Sequence, residues 1–285
     1  MKGDVVSTMG FSRTGHGDPM ILLHGLGSSR AVWDPIVPSL AERFDVIAVD
    51  LPGFGSSPPL PRGVEPTPAA LAAAVIDLLN EHGIEQPHLV GNSLGGWIAV
   101  EMAKTSAARS LTLISPAGLW ARDAPMYCRA SLRLSRGLAR HARPVLSRLV
   151  ASRPGRFLVF GQMYGRPAEL SPSQARGAIQ GMGQCPGFDA TLRATTRRHV
   201  QNAQQLTAPV TLAFGSRDVV LLKHQSRHLW ALPAGTRASV LPGCGHVPMS
   251  DDPARVLDLI SSAVPASPIL SLPENTKAST SGGQG

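Results

Sequence analysis

The stretch GNSLGG at residues 91–96 places three glycines around one serine, between the apolar run HLV and the helical stretch WIAVEMA. Glycine weakens both strands and helices, so three of them at one junction indicate a turn too tight for side chains. Gly91 and Gly95 complete the pattern G-x-S-x-G, which holds a serine hydroxyl out of a strand-to-helix corner. We therefore predict that Ser93 is a nucleophile.

A serine hydroxyl is a weak nucleophile at neutral pH and needs a base, together with a group that orients the base. The chain offers both after later apolar runs, because Asp218 follows PVTLAFG and His246 follows ASVLPG. The order serine, acid, histidine is the one expected for a serine held on this kind of corner. We predict that His246 is the base and that Asp218 orients it.

Attack on a carbonyl also needs hydrogen-bond donors for the oxyanion that develops. The backbone N–H of Leu94 is one candidate, because it opens the helix after the serine. The motif HGLG (24–27) ends the apolar run PMILLHG and offers the N–H of Leu26 as the other. We expect His24 to brace this loop rather than to act as a base.

Short apolar runs alternate with longer amphipathic stretches, which is typical of βαβ units on a mostly parallel sheet. The runs predict strands at 19–25, 44–50, 88–93, 109–118, 209–215 and 238–243, and helices at 32–43, 66–83, 94–105, 191–206, 224–232 and 253–264. The alternation stops between residues 119 and 190, which are rich in arginine, glycine and proline. We predict an α/β core of residues 1–118 and 191–264, a helical insertion at 119–190, and a disordered tail at 265–285.

Five motifs stand in order at the ends of predicted strands: HGLG (24–27), DLPGFGSS (50–57), GNSLGG (91–96), GSRD (215–218) and GCGH (243–246). By them the chain resembles the serine-nucleophile branch of the α/β-hydrolase family, which is esterase- and lipase-like, with similarity to carbon–carbon bond hydrolases. The resemblance covers roughly residues 19–118 and 191–264. It implies an α/β-hydrolase fold, with an eight-stranded, mostly parallel sheet flanked by helices and a cap inserted after strand 6. Only 18 residues precede the first predicted strand, so we expect the N-terminal edge of the sheet to be reduced.

The resemblance also bears on two residues of the predicted site. In this family the triad acid has a second known place after the sixth strand, so Asp123 is the alternative to Asp218. Epoxide hydrolases and haloalkane dehalogenases of this fold carry aspartate at the corner. Ser93 argues against both activities.

The insertion contains apolar residues that we expect to roof a substrate pocket. The residues predicted to line the pocket are Gly25, Asn92, Trp97, Met126, Phe160, Met163 and Val247. Five arginines recur at the spacing of one helical face, namely Arg129, Arg133, Arg136, Arg140 and Arg143. Two interpretations of this stripe stay open, a solvated face of a cap helix, or contact with an anionic surface or substrate group.

Composition narrows the classes of partner and compartment. The formal net charge is +8, but no zinc-finger spacing or other nucleic-acid motif accompanies it, so we expect no nucleic-acid partner. Three widely spaced cysteines predict no disulfide framework and a reducing, cytoplasmic compartment. No apolar run reaches the ~20 residues that span a bilayer, and no signal peptide is apparent. The oligomeric state is not predicted.

Together these patterns predict a serine hydrolase that cleaves a carboxylic ester with an apolar acyl or alcohol group. GNSLGG also resembles the corner of carbon–carbon bond hydrolases that cleave ring-fission dienoic acids, whose substrate carboxylate needs a basic residue. Acyl transfer to a small acceptor and perhydrolysis use the same three side chains. A non-catalytic binding relative is least favoured, because the triad is intact. No metal or cofactor is implied.

Overall fold

A computed structural model describes residues 9–264, whose centre is a seven-stranded sheet. In chain order the strands are β1 (Phe11–Thr14), β2 (Asp18–Leu23), β3 (Phe44–Val49), β4 (His88–Asn92), β5 (Ser110–Ile114), β6 (Val210–Gly215) and β7 (Arg237–Leu241). Across the sheet their order is β1-β3-β2-β4-β5-β6-β7, and every neighbouring pair is parallel except β1 with β3. The predicted mostly parallel sheet is confirmed. Its N-terminal edge is reduced to one antiparallel strand, so residues 9–264 hold seven strands rather than eight.

Helices flank this sheet on both faces. Those of the described chain are α1 (Val37–Ala41), α2 (Pro68–Glu81), α3 (Leu94–Thr105), α4 (Met126–His141), α5 (Arg143–Leu149), α6 (Arg153–Phe160), α7 (Pro172–Gln184), α8 (Phe188–Thr196), α9 (Lys223–Ser226) and α10 (Pro253–Ala263). The start of α2 is set by Thr67, whose side chain accepts a hydrogen bond from the N–H of Ala70 at 3.1 Å.

Three helices predicted from periodicity are shorter or displaced. Residues 32–43 form α1 preceded by a 3₁₀ turn, Arg30–Trp33, because two prolines interrupt the pattern. The segment 224–232 contains only the single turn α9 and a 3₁₀ turn, Leu229–Ala231. The helix expected at 191–206 is α8, which begins before residue 191 and ends at Thr196.

The five central strands, β2 to β6, are buried on both faces, as parallel strands usually are. Side chains alternate along β2, so Ile21 and Leu23 pack with residues of α2 and α3, while Met20 and Leu22 pack with residues of α1 and α10. All four side chains are fully buried. Because the parallel strands point the same way, the loops after β2, β4, β6 and β7 meet at one edge of the sheet.

Residues 119–190, here called the insertion, lie between the neighbouring strands β5 and β6. They follow the fifth strand rather than the sixth, because the N-terminal edge is shorter. Within the insertion α7 packs against α4 and α5, around a small core that includes Ala139, Phe160 and Ile179. The division of the chain into a core and a cap stays a prediction.

Within residues 9–264, no helix combines the length and the apolar character needed to cross a membrane. The tail predicted to be disordered, 265–285, lies outside the described residues. The three cysteines, Cys128, Cys185 and Cys244, are free and buried. Burial raises the pKa of Cys128 to about 12 and that of Cys244 to about 11, so these thiols pack as small uncharged side chains.

Candidate active site

Ser93 stands at the corner between β4 and α3 in a strained backbone conformation, with φ 55° and ψ −117°. The surrounding backbone enforces this conformation. The N–H of Ser93 donates to the carbonyl of Ile114 at 3.0 Å, and its carbonyl accepts from Gly96 at 3.0 Å and from Ala117 at 2.9 Å. The half-buried Ser93 is thereby held at the edge of the sheet.

The glycines of the corner are required by close backbone contacts. A methyl group on Gly91 would overlap the carbonyl of Gly95, and one on Gly95 would overlap the carbonyl of Leu23. One on Gly96 would lie 2.8 Å from the Cβ of Pro116. The spacing G-x-S-x-G therefore follows from how closely α3 passes over β2 and β4.

His246 and Asp218 form a buried hydrogen-bonded pair. Nδ1 of His246 lies 2.9 Å from Oδ2 of Asp218, and the two side chains are 3% and 0% exposed. Since a carboxylate accepts hydrogen bonds, Nδ1 carries the proton and Nε2 is left to accept one. The other oxygen of Asp218 accepts from the N–H groups of Val220 and Leu221, both at 3.0 Å.

Burial and hydrogen bonding oppose each other at Asp218. Burial raises the pKa of the carboxyl, but the charge of His246 and the hydrogen bonds from His246 and from the N–H of Leu221 lower it more. The pKa of Asp218 therefore lies below its ordinary value, and the group stays ionised at neutral pH. Asp123, the alternative acid, is exposed and makes no hydrogen bond to His246.

Asn92, one residue before the serine, fixes the histidine loop. Its buried Nδ2 donates to the carbonyl of His246 at 3.0 Å and to that of Ile114 at 3.1 Å. The side chain was among those expected in the substrate pocket, but it lines neither cavity described below. A buried amide needs partners for its protons, and the two carbonyls behind the corner supply them.

Leu26 and Leu94, the predicted oxyanion donors, lie beside Ser93. In residues 9–264 the N–H of Leu26 donates to no protein acceptor, and that of Leu94 is the first of α3, without an intrahelical partner. Both residues line a small cavity of about 40 Å³ together with Ser93. A Cβ on Gly25 would lie 3.1 Å from that of Ser93, so the loop after β2 runs directly past the serine.

His24 braces that loop, as the sequence suggested. Its Nδ1 lies 2.8 Å from the carbonyl of Gly25, and its Nε2 accepts from the N–H of Leu51 at 3.0 Å. The ring is fully buried, and burial lowers its pKa to about 4. A ring with both nitrogens engaged is a structural support and is not available as a base.

A second cavity of about 780 Å³ lies between the insertion and the sheet edge. Among the predicted pocket residues, Phe160, Met163 and Val247 line it, and Leu26 lines both cavities.

For the other four residues, contact with a substrate stays a prediction. Gly25, Asn92, Trp97 and Met126 line neither cavity. Trp97 packs edge-on against Trp120, with ring centroids 5.6 Å apart, because the aromatic faces fill the core beside α3. Met126 is 76% exposed, since the first turn of α4 projects from the insertion.

The five arginines do not form one stripe. The helix α4 ends at His141, so Arg143 opens α5 instead of continuing the face. Arg136 is buried, and its guanidinium donates to the carbonyls of Met182 and Cys185 at the end of α7. Those carbonyls have no partner within their own helix, which explains why Arg136 turns inward.

The other three arginines of the set differ among themselves. Arg133 and Arg140 are exposed, whereas Arg129 is half-buried and lines the small cavity. Its buried Nε has no hydrogen-bond partner among residues 9–264. Of the arginines predicted to contact an anionic group, Arg129 could therefore do so inside the small cavity, and Arg133 and Arg140 could do so at the surface.

Asp251 is a buried residue that sequence reasoning missed. Its carboxylate accepts from the N–H groups of Gly165, Arg166 and Gly245, each at 2.8 Å. It thereby joins the insertion to the loop that carries His246. Its neighbour Asp252 caps α10, and the pair of acids before a helix suggests only that capping function.

Comparison with known proteins gives a consistent family. The profile described as the Alpha/beta hydrolase family matches residues 20–259. Epoxide hydrolase EphH of Mycobacterium tuberculosis is 34% identical over 209 residues, which cover 69% of this chain and 94% of that protein. Pimeloyl-(acyl-carrier protein) methyl ester esterase of Chromobacterium violaceum is 32% identical over 217 residues, 72% of this chain and 78% of that one.

Among solved structures, a thermophilic esterase from Thermogutta terrifontis superposes with a TM-score of 0.71. The two are 22% identical, and the match covers 89% of this chain and 92% of that one. At this identity the likeness shows the fold alone.

Proposed function

Because the chain belongs to the alpha/beta hydrolase family, we propose that it is a serine hydrolase of carboxylic esters with an apolar acyl or alcohol group. One observation carries the proposal. The buried pair His246–Asp218, with 2.9 Å between Nδ1 and Oδ2, is tied by Asn92 to the strained corner that carries Ser93. A serine, a base and an acid that orients the base are the minimum needed for acyl transfer.

The reaction proceeds in two halves on these residues. Nε2 of His246 takes the proton of Ser93 as Oγ attacks the ester carbonyl, and the N–H groups of Leu26 and Leu94 stabilise the oxyanion. His246 then protonates the leaving alcohol, which leaves an acyl group on Ser93. Water, deprotonated by His246, attacks this acyl-enzyme and releases the acid. Asp218 stays ionised throughout and stabilises the charged imidazole.

The different sizes of the two cavities support a substrate with one small and one large group on either side of the ester. The space beside Ser93, about 40 Å³, suits a small group, whereas the cavity of about 780 Å³ suits a large one. Phe160 and Met163 from the insertion and Val247 from the core line the larger space. In this proposal residues 119–190 are a cap, and apolar burial beneath it contributes about 25 cal/mol per Å² of substrate surface.

A series of p-nitrophenyl esters of increasing acyl length tests the proposal. We expect kcat/KM to rise with chain length, and Ser93→Ala to abolish both turnover and labelling by a fluorophosphonate. A wild-type protein that takes no label would exclude the catalytic mechanism and leave the non-catalytic alternative.

The mycobacterial relative is named an epoxide hydrolase. A serine nucleophile at position 93 argues against that activity for this chain. Attack by a carboxylate on an epoxide forms an ester that water cleaves, whereas attack by a serine hydroxyl forms an ether that it does not. We expect no diol from styrene oxide under conditions where an ester is turned over. Measurable diol formation that Ser93→Ala abolishes would overturn this assignment.

Arg129 supports a second candidate, the hydrolysis of a carbon–carbon bond in a ring-fission dienoic acid. It lines the cavity that contains Ser93, and no ion pair to it is present in residues 9–264. The other inward arginines differ, because Arg136 and Arg156 donate to backbone carbonyls. A substrate carboxylate would supply the missing partner.

A spectral assay with a ring-fission product, run beside the ester series, separates the two candidates. Turnover of the dienoic acid alone, with KM raised by Arg129→Gln, would favour the second. Acyl transfer and perhydrolysis use the same triad and are tested by adding an acceptor or peroxide to the ester assay. A cytoplasmic location remains part of the proposal, supported by three free cysteines.

A further inference from the structure

Large apolar side chains are exposed on the outer helices of the insertion. Of the thirteen such residues in the described chain, eight lie between positions 126 and 158. Leu134 on α4 is 64% exposed, Val145 on α5 is 56% and Phe157 on α6 is 65%. Single exposed apolar residues are ordinary, but a concentration on adjoining helices marks a binding surface.

The same helices are basic and carry no acid. Residues 124–168 contain nine arginines and neither aspartate nor glutamate. Five arginines of α4, α5 and α6 are exposed, namely Arg133, Arg140, Arg143, Arg148 and Arg153. None of them forms an ion pair with any residue in 9–264.

The large cavity opens within this surface. Each of the three helices contributes one leucine that both lines the cavity and is exposed: Leu138 on α4 (46%), Leu149 at the end of α5 (39%) and Leu158 on α6 (75%). The helix α5 packs against both α4 and α6, so the three leucines belong to one continuous patch. An apolar space beneath the insertion thus opens at an apolar and basic face.

We propose that the exposed face of α4, α5 and α6, here called the basic–apolar face, docks on a bilayer of anionic lipid. Arginines meet lipid phosphates, while apolar side chains such as Phe157 and Leu158 enter the boundary of the acyl chains. The cavity mouth then faces the membrane. That a lipid acyl chain enters the cavity for cleavage rests on the proposed esterase function, whereas the docking itself does not.

Charge favours a bilayer over a second copy of the chain. Two such faces brought together would oppose five exposed arginines on each side with no acid between them, and like charges disfavour that contact. An anionic bilayer provides negative charge to pair with the arginines of this face and hydrocarbon to cover its apolar side chains. Arginine also keeps its charged end at the phosphates while its stem covers apolar surface.

Vesicle flotation with the full-length Ser93→Ala protein tests docking without hydrolysis of the lipid. Vesicles of phosphatidylglycerol and phosphatidylcholine in equal parts are compared with phosphatidylcholine alone. We expect binding to the anionic vesicles that is at least tenfold stronger and that weakens as salt is raised.

Two variants, each with a matched control, assign the binding to this face. Arg133→Gln/Arg140→Gln/Arg148→Gln should lower binding about one hundredfold, about fivefold per arginine. The control Arg62→Gln/Arg197→Gln, exposed arginines outside the insertion, should lower it much less. Phe157→Ser/Leu158→Ser should abolish penetration, whereas Val64→Ser, 46% exposed elsewhere, should not.

Three outcomes would overturn the proposal. These are no flotation with either vesicle, equal loss in face and control variants, or a solution dimer that disappears in Phe157→Ser/Leu158→Ser. Far-UV circular dichroism checks that each variant is folded. Because flotation uses the Ser93→Ala protein, a failed ester assay would leave docking standing, and failed docking would leave the esterase mechanism standing.

Discussion

The side-chain amide of Asn92 donates a hydrogen bond to the backbone carbonyl of His246 at 3.0 Å, across 154 positions of the chain. Asn92 directly precedes Ser93, so this bond joins the corner of the candidate nucleophile to the loop of the candidate base. The backbone that carries His246 is thus held from the side of β4, while its ring is held by Asp218.

Replacing Asn92 by alanine should lower kcat about tenfold and destabilise the fold by about 2 kcal/mol. The carbonyl of His246 would lose the donor that Asn92 supplies, and that of Ile114 would keep only the N–H of Ser93. Ester kinetics and urea unfolding measure the two effects. The control is Asn80→Ala at an exposed position, which should change neither quantity. An unchanged kcat in Asn92→Ala would show that the bond does not position the histidine.

Asp218→Asn should lower kcat by about 10⁴-fold with little change in KM. An amide that donates to His246 would favour the tautomer with the proton on Nε2, where it cannot accept the serine proton. Asp123→Asn should leave kcat unchanged, because Asp123 is exposed. The reverse ranking of the two variants would move the role of the acid to Asp123.

Stability should decline as the pH falls from about 6.5 to about 4 because of His24. Burial lowers the pKa of His24 to about 4 in the folded chain, against 6.5 ordinarily. In this window the unfolded chain binds a proton that the folded chain does not, so the free energy of unfolding falls by about 3 kcal/mol in total. Urea unfolding at several pH values measures the slope.

Two histidine variants test whether His24 causes this dependence of the free energy of unfolding on pH. His24→Gln should show a smaller decline over the same pH range, whereas the exposed His16→Gln should keep the full decline. Equal slopes in both variants would mean that another group controls the acid sensitivity.

Gly95→Ala should destabilise the chain by more than about 3 kcal/mol, because the added methyl group overlaps the carbonyl of Leu23. The matched control is Gly137→Ala in α4, where an added Cβ meets nothing within 4 Å. That change should stabilise the fold by about 0.5–1 kcal/mol, since alanine is the better helix former. Thermal unfolding compares the two, and a well-folded Gly95→Ala protein would refute the packing argument.

Asp251→Asn should loosen the contact between the insertion and the histidine loop. Three N–H groups share its two carboxylate oxygens, and an amide offers only one acceptor oxygen to them. We expect KM to rise several-fold for long-chain esters, with acetate esters affected less, because Met163 and Val247 line the large cavity on either side of this contact. A uniform loss across chain lengths would indicate general destabilisation instead.

The local motifs by themselves determined the fold and the order of the candidate triad. GNSLGG indicates a corner, and the runs PVTLAFG and ASVLPG indicate strands, which are the buried β6 and the largely exposed edge strand β7. Parallel strands end at a shared edge, so the loops that carry Ser93, Asp218 and His246 lie at the same edge of the sheet. These inferences depend on contacts that are close in sequence or imposed by strand direction.

The direction of several polar side chains, which could face solvent or bond to buried backbone groups, follows only from the tertiary structure. Periodicity grouped Arg136 with Arg133 and Arg140, yet only packing against α7 supplied the helix-end carbonyls that draw Arg136 inward. Asn92 and Asp251 likewise found backbone partners 154 and 86 positions away, on loops whose approach no local pattern records. A buried polar side chain turns toward a backbone N–H or C=O group that has no other hydrogen-bond partner and lies within about 3 Å. Which group that is depends on how the helices, strands and loops pack together.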